Sequence, residues 1–171
     1  VSFTADYLDY MAEWARRYEG KSSRAIGQEN ILVFKRALGV TTGILPWNFP
    51  FFLIARKLAP ALITGNTIVI KPSEFTPNNA VAFAQIVDDI GLPKGVFNLV
   101  LGRGETVGHE LAANAKVAMV SMTGSVGAGG VVHRDGKAVP CGQPCSGRAN
   151  ATAAASDEKD FCGGVGHNLW W

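Results

Sequence analysis

The chain has 171 residues, of which 47% are hydrophobic and 18% are charged, and its formal net charge at pH 7 is +2. This composition is typical of a globular domain with a buried core and excludes a disordered chain. The lysines and arginines are scattered, which argues against a nucleic-acid-binding surface, and no apolar run approaches the ~20 residues of a membrane span.

The first third of the chain predicts two helices and one strand. Aromatic residues at spacings of three and four predict an amphipathic helix over 2–19, and we interpret this stripe as core packing rather than as an aromatic cofactor box. The polar residues that follow predict a loop, and a strand is expected over 31–34. An apolar helix is then predicted over 51–62, with Arg56 and Lys57 exposed.

The middle of the chain alternates strands with helices. Strands are predicted over 67–70, 96–100 and 117–122, and helices over 77–90 and 104–113. Thr76 can cap the first of these helices with Pro77 at its first position, and Gly91 ends it. The β-α-β-α-β order predicts an α/β fold with a Rossmann-like, doubly wound parallel sheet.

Residues suited to nucleotide binding follow each of these strands. Lys71 and Glu74 follow the first strand, Gly104 follows the second, and Thr123 and Ser125 follow the third. Because ligands of open α/β sheets bind beyond the carboxyl ends of the strands, we expect these residues to meet at one edge of the sheet. Their placement predicts a nucleotide site.

The segment Pro46-Trp47-Asn48-Phe49-Pro50 predicts a rigid, non-helical loop. Each proline fixes its own φ and biases the preceding residue toward extended conformations. Such a loop can present the Asn48 amide as a hydrogen-bond donor to a developing oxyanion. The alternative is a proline-rich turn in which Asn48 bonds to nearby backbone.

Three motifs, in this order and at comparable spacing, resemble the aldehyde dehydrogenase superfamily. They are Pro46-Trp47-Asn48-Phe49-Pro50, Ile70-Lys71-Pro72-Ser73-Glu74 and Met122-Thr123-Gly124-Ser125. Residues 1 to about 126 resemble in particular the bacterial lactaldehyde/glycolaldehyde dehydrogenases. The resemblance implies that residues 1–128 form part of an NAD-binding domain, the N-terminal part of the family's fold. Residues 129–171 are then a divergent tail that is not native family sequence.

The resemblance also implies a set of site residues. Asn48 would hold the oxyanion that forms when a cysteine thiolate attacks an aldehyde. Lys71 and Glu74 would bind the adenosine ribose of NAD, with a surface ion pair as the alternative. Ser125 would contact the pyrophosphate, and it can also cap a helix. The other cofactor-binding residues that the resemblance implies are Leu45, Trp47, Ser73, Gly104, Gly108, Thr123 and Gly124.

The resemblance does not extend to the family's nucleophile and general base. The segment Gly142-Gln143-Pro144-Cys145 matches the nucleophile motif, but Cys145 lies only 20 residues after Ser125, which favours a chance match. The family's Glu-Leu-Gly-Gly segment, which carries the general base, is absent from the sequence. Together with Cys141, Cys162 and His167, Cys145 loosely fits a zinc-site spacing, but we expect no metal site.

The expected function is NAD-dependent oxidation of a small hydroxyaldehyde, such as lactaldehyde or glycolaldehyde, to the carboxylic acid, with this chain as a partial enzyme. The alternative is a non-catalytic NAD-binding or structural fragment. We expect no nucleic-acid or membrane partner, and association as a family-like homo-oligomer or through exposed apolar surface. Because residues 1–140 contain no cysteine and no signal peptide is visible, we expect a cytoplasmic location.

Overall fold

The computed structural model describes residues 1–24 and 29–135 of the chain. The helices are α1 (Ser2–Glu13), α2 (Pro50–Ile63), α3 (Pro77–Asp89), α4 (His109–Ala113) and α5 (Val126–Asp135). The strands are β1 (Lys21–Arg24), β2 (Asn30–Val33), β3 (Val40–Ile44), β4 (Thr67–Lys71), β5 (Phe97–Leu99) and β6 (Met119–Met122). A 3-10 turn covers Trp14–Arg16, and a π-helical turn covers Gly104–Gly108.

The main sheet has four parallel strands in the order β5-β4-β3-β6. Helices α2 and α3 cover one face, where they pack with Ile68 and Ile70 of β4. The other face is covered by α4 and α5, whose Ala112 and Val132 pack with Ile44 and Met122. Because helices lie on both faces, the prediction of a doubly wound parallel sheet is confirmed.

Strand β3, at the centre of the sheet, was missed from the sequence. Its residues Val-Thr-Thr-Gly-Ile combine two hydroxyl groups with a glycine and so lack the apolar run that identifies a buried parallel strand. Thr41 and Thr42 are nevertheless fully buried. The Thr41 hydroxyl is accommodated because it donates a hydrogen bond to the carbonyl oxygen of Thr67, at 2.8 Å.

Strand β3 adds a fourth strand to the predicted β-α-β-α-β unit and separates β4 from β6 in the sheet. The chain passes from β3 through α2 to β4 and through α3 to β5, and then returns across the sheet to place β6 on the other side of β3. The direction of winding therefore reverses between β3 and β6. In open α/β sheets this reversal opens a crevice beyond the carboxyl ends of the strands, where ligands bind.

Two predictions near the N-terminus were wrong in part. The first helix ends at Glu13, with the 3-10 turn after it, and its stripe is only partly core: Met11 is buried, whereas Phe3 is 65% exposed. The predicted loop after it contains β1, which pairs antiparallel with β2 in an exposed ribbon. Its sequence Lys-Ser-Ser-Arg carries no apolar alternation, because the ribbon buries neither face.

The predicted exposure of Lys57 was also wrong, whereas Arg56 is exposed as expected. Lys57 follows Leu53 by four residues and precedes Ala61 by four, and both of these neighbours are buried. Residues at this spacing share one face of a helix, so Lys57 lies on the face of α2 that packs on the sheet.

The later predicted elements are found with small changes of boundary. The predicted strands over 67–70, 96–100 and 117–122 correspond to β4, β5 and β6, and the helix that begins at Pro77 is α3. The predicted helix over 104–113 divides into the π-helical turn and α4. Helix α5 runs past residue 128, the expected boundary of the domain, and Cys145 lies outside the described residues. In the described ranges, no helix has the length and apolar character that crossing a bilayer requires.

Candidate active site

Backbone hydrogen bonds continue the sheet beyond its strands and bring the loops together. The N–H of Leu45 donates to the carbonyl oxygen of Lys71 at 3.0 Å, and the N–H of Thr123 donates to that of Ile44, also at 3.0 Å. The segments after β3, β4 and β6 therefore leave the sheet side by side at its carboxyl edge. We call them the 45–50 loop, the 71–76 loop and the 123–125 turn.

The 45–50 loop ends in a strained residue. Phe49 has φ 47° and ψ 43°, a left-handed conformation that is costly for a residue with a bulky side chain. It stands at the N-cap of α2, with Pro50 in the first turn, and its carbonyl oxygen accepts the helical hydrogen bond from Leu53 at 3.0 Å. The Phe49 ring is 75% exposed, so packing on this chain does not account for the conformation.

Asn48 lies between Trp47 and Phe49 and is half-buried. Within residues 1–24 and 29–135, its side chain makes no hydrogen bond. This geometry differs from the alternative in which Asn48 bonds to nearby backbone. Its amide N–H groups are therefore available to an oxygen atom of a ligand.

Thr76 joins the 71–76 loop to the 45–50 loop. Its hydroxyl donates a hydrogen bond to the carbonyl oxygen of Trp47, at 3.3 Å. Thr76 does stand at the N-cap of α3, with Pro77 in the first turn, but it makes no side-chain capping bond. Thr76 therefore occupies the predicted N-cap position. Its hydroxyl bonds to the 45–50 loop instead of to a backbone N–H of α3.

Lys71 and Glu74 form a pair in which the lysine is buried. The Lys71 Nζ donates to the carbonyl oxygen of Pro72 at 2.9 Å and to Glu74 Oε2 at 3.4 Å, and its side chain is only 2% exposed. The Glu74 side chain is 43% exposed. A simple surface ion pair would leave both groups in solvent, so this pair differs from that alternative.

The Glu74 carboxylate is further held by backbone donors. Its own backbone N–H lowers the pKa of the carboxyl group most, and the Lys71 charge and the backbone N–H of Gly104 lower it further, against partial desolvation. The influence of the Gly104 N–H on this pKa places the π-helical turn after β5 close to the Glu74 carboxylate. The arrangement keeps the carboxylate ionised, and its exposed oxygen positions can accept further hydrogen bonds.

The glycines after β5 differ in how much space a side chain would have at each position. A Cβ atom at Gly104 would meet nothing within 4 Å, so the space beside it is open, and one at Gly108 would lie 3.8 Å from Lys71 Cδ. The glycine that the backbone requires is Gly102, which has φ +153° and where a Cβ atom would overlap with Val107 Cγ2. The open side of Gly104 leaves room for a flat group next to Glu74.

The 123–125 turn leads into α5. The Ser125 hydroxyl oxygen accepts a hydrogen bond from the N–H of Ala128 at 3.3 Å, so the capping role of Ser125 is confirmed. The Ser125 side chain is exposed, and its O–H remains able to donate. A Cβ atom at Gly124 would lie 2.8 Å from Met122 Cε, which favours a residue without a side chain in the turn.

Of the remaining expected site residues, Leu45 is buried at 4% exposure and Trp47 is 64% exposed. Ser73 is buried, and its hydroxyl oxygen accepts a bond from the N–H of Phe75 at 3.3 Å. Cys145 lies outside the described residues, so no position relative to Asn48 is described for it. The described ranges contain no group of three or more His, Cys, Asp or Glu residues that could hold a metal ion.

The contact between Lys57 and Ser121 was not predicted from the sequence. Lys57 Nζ donates to the Ser121 hydroxyl of β6 at 2.9 Å. Burial is the main cause that lowers the pKa of Lys57 to about 7, and the nearby charge of Arg56 adds to it. The spacing from Leu53 to Lys57 to Ala61 could have revealed a lysine on the buried face of α2.

Comparison with known proteins identifies relatives of the first 130 or so residues. The chain is 83% identical to lactaldehyde dehydrogenase of Escherichia coli over 130 residues, which are 75% of this chain and 27% of that protein. It is 42% identical over 130 residues to an NADP-dependent D-glyceraldehyde dehydrogenase of Thermoplasma acidophilum, covering 75% of this chain and 26% of that one. The chain thus spans about a quarter of the length of these curated relatives.

The fold agrees with that similarity. A crystal structure of lactaldehyde dehydrogenase from Escherichia coli superposes with a TM-score of 0.76 at 79% identity, over 78% of this chain and 28% of that one. Residues 1–150 match the family model described as the aldehyde dehydrogenase family. The chain therefore belongs to the aldehyde dehydrogenase family.

Proposed function

We propose that the chain supplies the oxyanion-binding and NAD-binding half of a dehydrogenase that oxidises a small hydroxyaldehyde, such as lactaldehyde or glycolaldehyde, to the carboxylic acid. The observation that carries the proposal is the position of Asn48. Its amide makes no hydrogen bond with the part of the chain that the structure describes, and it lies in the loop that shares the carboxyl edge of the sheet with the Lys71–Glu74 pair. The similarity to lactaldehyde dehydrogenase of Escherichia coli supports the choice of substrate class.

Asn48 would stabilise the negative charge that develops on the aldehyde oxygen. Its amide N–H donates a hydrogen bond to that oxygen, and the two prolines and the backbone of Phe49 restrict the main chain that carries Asn48. Loss of one such donor costs about 3 kcal/mol of transition-state stabilisation. Trp47 and Phe49, both exposed, would line the approach to this position.

The residues at the carboxyl edge fit an adenine dinucleotide. Glu74 and Lys71 would bind the two ribose hydroxyls as acceptor and donor, and the open side of Gly104 leaves space for the adenine. Ser125, at the start of α5, would donate to the pyrophosphate. When bound, NAD supplies the acceptor for the hydride that leaves the substrate. The other proposed contacts are Leu45, Trp47, Ser73, Gly108, Thr123 and Gly124.

The Glu74 carboxylate favours NAD over NADP. A carboxylate that binds the 2′-hydroxyl repels a 2′-phosphate, and the lowered pKa of Glu74 means that this charge is present at neutral pH. Because one of the relatives is named as NADP-dependent, both cofactors should be measured.

The alternative is a chain that binds NAD without turning over an aldehyde. It is favoured by the absence of cysteine from residues 1–140, since the described residues then contain no thiol nucleophile. Cys145 would be the nucleophile only if the chain brings it to Asn48. The tail over 129–171 would contribute nothing further in this alternative.

Formation of NADH from NAD with lactaldehyde or glycolaldehyde, followed by its absorbance, separates the two functions. Turnover that Cys145→Ala abolishes and the matched control Cys162→Ala preserves would support the enzyme with Cys145 as its nucleophile. Absence of turnover together with calorimetric binding of NAD would support the binding fragment. Absence of both would contradict the two proposals.

We also propose that the chain associates with itself or with a family-like partner subunit, in the cytoplasm. The support is the exposed apolar surface of the β1–β2 ribbon and the segment after it, where Ile31, Leu32, Val33 and Phe34 are each about half exposed or more. The cysteine-free run over 1–140 suits a reducing compartment. A monodisperse monomer by light scattering would contradict the association.

A further inference from the structure

Lys57 reaches across the sheet from α2 to β6. Its Nζ donates to the Ser121 hydroxyl at 2.9 Å, although the two residues are 64 positions apart in the sequence. The aliphatic part of its side chain passes over Gly43 of β3, where a Cβ atom would lie 3.0 Å from Lys57 Cδ and 3.6 Å from Lys57 Cβ. Gly43 is therefore the residue that makes room for this contact.

The contact lies where the winding of the sheet reverses. Gly43 of β3 pairs in register with Ser121 of β6. Because Gly43 has no side chain, this register position lacks the cross-strand side-chain contact that normally supports a pair of strands. The Lys57 side chain occupies that space instead and ends on the partner residue.

Burying a lysine amine in this position has a cost. Removal of an ammonium group from water is unfavourable unless a partner compensates it, and an apolar side chain of similar length would avoid the cost. Within residues 1–24 and 29–135, the hydrogen bond of Lys57 Nζ goes to the Ser121 hydroxyl. The amine therefore makes a specific contact with β6, and its burial by itself is not evidence of a stabilising role.

We propose that Lys57 is a positioning residue that, through Ser121, fixes β6 against β3 and thereby sets the place of the 123–125 turn. The turn begins two residues after Ser121, directly after β6 ends at Met122. This inference rests on the proposed function, in which Ser125 binds the pyrophosphate of NAD. Lys57 does not touch the cofactor in this proposal, and it acts only through the position of β6.

The test compares two ligands that differ in the pyrophosphate. In the proposed function, adenosine would contact the 71–76 loop and the open side of Gly104, whereas ADP would also contact the 123–125 turn. In calorimetric titrations we expect Ser121→Ala and Lys57→Met to raise the Kd for ADP by roughly three- to tenfold and to leave the Kd for adenosine unchanged. Ser121→Thr, which retains the hydroxyl, should restore the affinity for ADP. Equal losses for both ligands, or no loss for ADP, would overturn the proposal.

Hydrogen exchange supplies a readout that needs no ligand. In Ser121→Ala and Lys57→Met, the amides of β6 should exchange faster than in the unchanged chain, while those of β4 and β5 should not. If the unchanged chain binds neither ADP nor adenosine, the proposed function fails, and the exchange of β6 alone decides this inference. Equal exchange of β6 in all variants would overturn it. Ser121→Ala keeps the test valid if Lys57→Met does not fold.

Discussion

The hydroxyl of Thr76 donates a hydrogen bond to the carbonyl oxygen of Trp47, at 3.3 Å, and so joins two loops that are 29 residues apart in the sequence. One loop presents Asn48 and the other presents Glu74. The bond replaces the capping bond that a threonine at the N-cap of α3 would otherwise make. It therefore couples the proposed oxyanion donor to the proposed ribose site.

Thr76→Val should weaken this coupling. The variant keeps the shape of the side chain and loses the donor, so we expect the free energy of unfolding to fall by about 0.5–1.5 kcal/mol. Thr76→Ser retains the hydroxyl and is the matched control. Urea unfolding of the two variants measures the effect, and equal stability of Thr76→Val and Thr76→Ser would show that the bond contributes nothing.

Phe49 stores strain at the start of α2. Because Asn tolerates the left-handed conformation better than Phe and the ring is 75% exposed, Phe49→Asn should raise the free energy of unfolding, by up to about 1 kcal/mol. Phe49→Val should lower it, since a β-branched residue is least tolerant of positive φ. Thermal unfolding measures the stabilities, which should decrease from Phe49→Asn to the unchanged chain to Phe49→Val. A different order would mean that the conformation of Phe49 is not strained.

Gly43 should not accept a side chain. A Cβ atom there would lie 2.5 Å from Ile70 Cδ1 and 3.0 Å from Lys57 Cδ, so Gly43→Ala should destabilise the fold by about 1–3 kcal/mol. Gly127→Ala is the control, because nothing lies within 4 Å of its Cβ position and alanine favours the helix α5. If denaturant unfolding finds the two variants equally stable, the close packing over Gly43 is wrong.

The stability of the chain should depend on pH through Lys57. Burial lowers the pKa of Lys57 to about 7 in the folded chain, against 10.5 as the ordinary value, so the unfolded chain binds more protons between these values. Between pH 7 and 10.5 the free energy of unfolding therefore increases with pH, because the cost of the buried amine disappears as the unfolded chain also loses its proton. As the pH falls from 10.5 toward 7, the folded state loses stability.

Lys57→Met removes that titration. Over the range from about pH 7 to 9, its free energy of unfolding should rise less steeply with pH than that of the unchanged chain. The upper limit avoids the titration of Tyr7, whose pKa is raised by burial. Urea unfolding at several pH values gives the two slopes, and parallel slopes would show that Lys57 titrates normally.

The sequence predicted the parts of the fold that local pattern determines. Helices α2 and α3 have apolar stripes and prolines at their first turns, and β4 is a β-branched run, so each was found close to its boundaries. Strand β3 was missed because its burial comes from the strands on either side of it and not from its own Thr-Thr-Gly sequence. Strand β1 was missed because only pairing with β2 defines it.

In the candidate site, too, the sequence predicted the order of the residues but not the contacts between distant segments. The order of strands and loops was enough to predict that Lys71, Glu74 and Ser125 follow strands at one edge. The buried state of Lys71, the proximity of the Gly104 N–H to Glu74 and the contact from Lys57 to Ser121 depend on distances between segments far apart in the chain. The spacing of residues along the sequence does not predict those distances.

We propose that the carboxyl edge of this sheet binds NAD through Glu74. Calorimetric titration of the chain with NAD and with NADP measures this binding in the unchanged chain, in Glu74→Gln and in the matched control Glu105→Gln, which removes the same charge from the neighbouring turn. We predict saturable binding of NAD, weaker binding of NADP, and a loss of roughly tenfold in NAD affinity for Glu74→Gln alone. Absence of NAD binding, or equal affinities in Glu74→Gln and Glu105→Gln, would contradict the account.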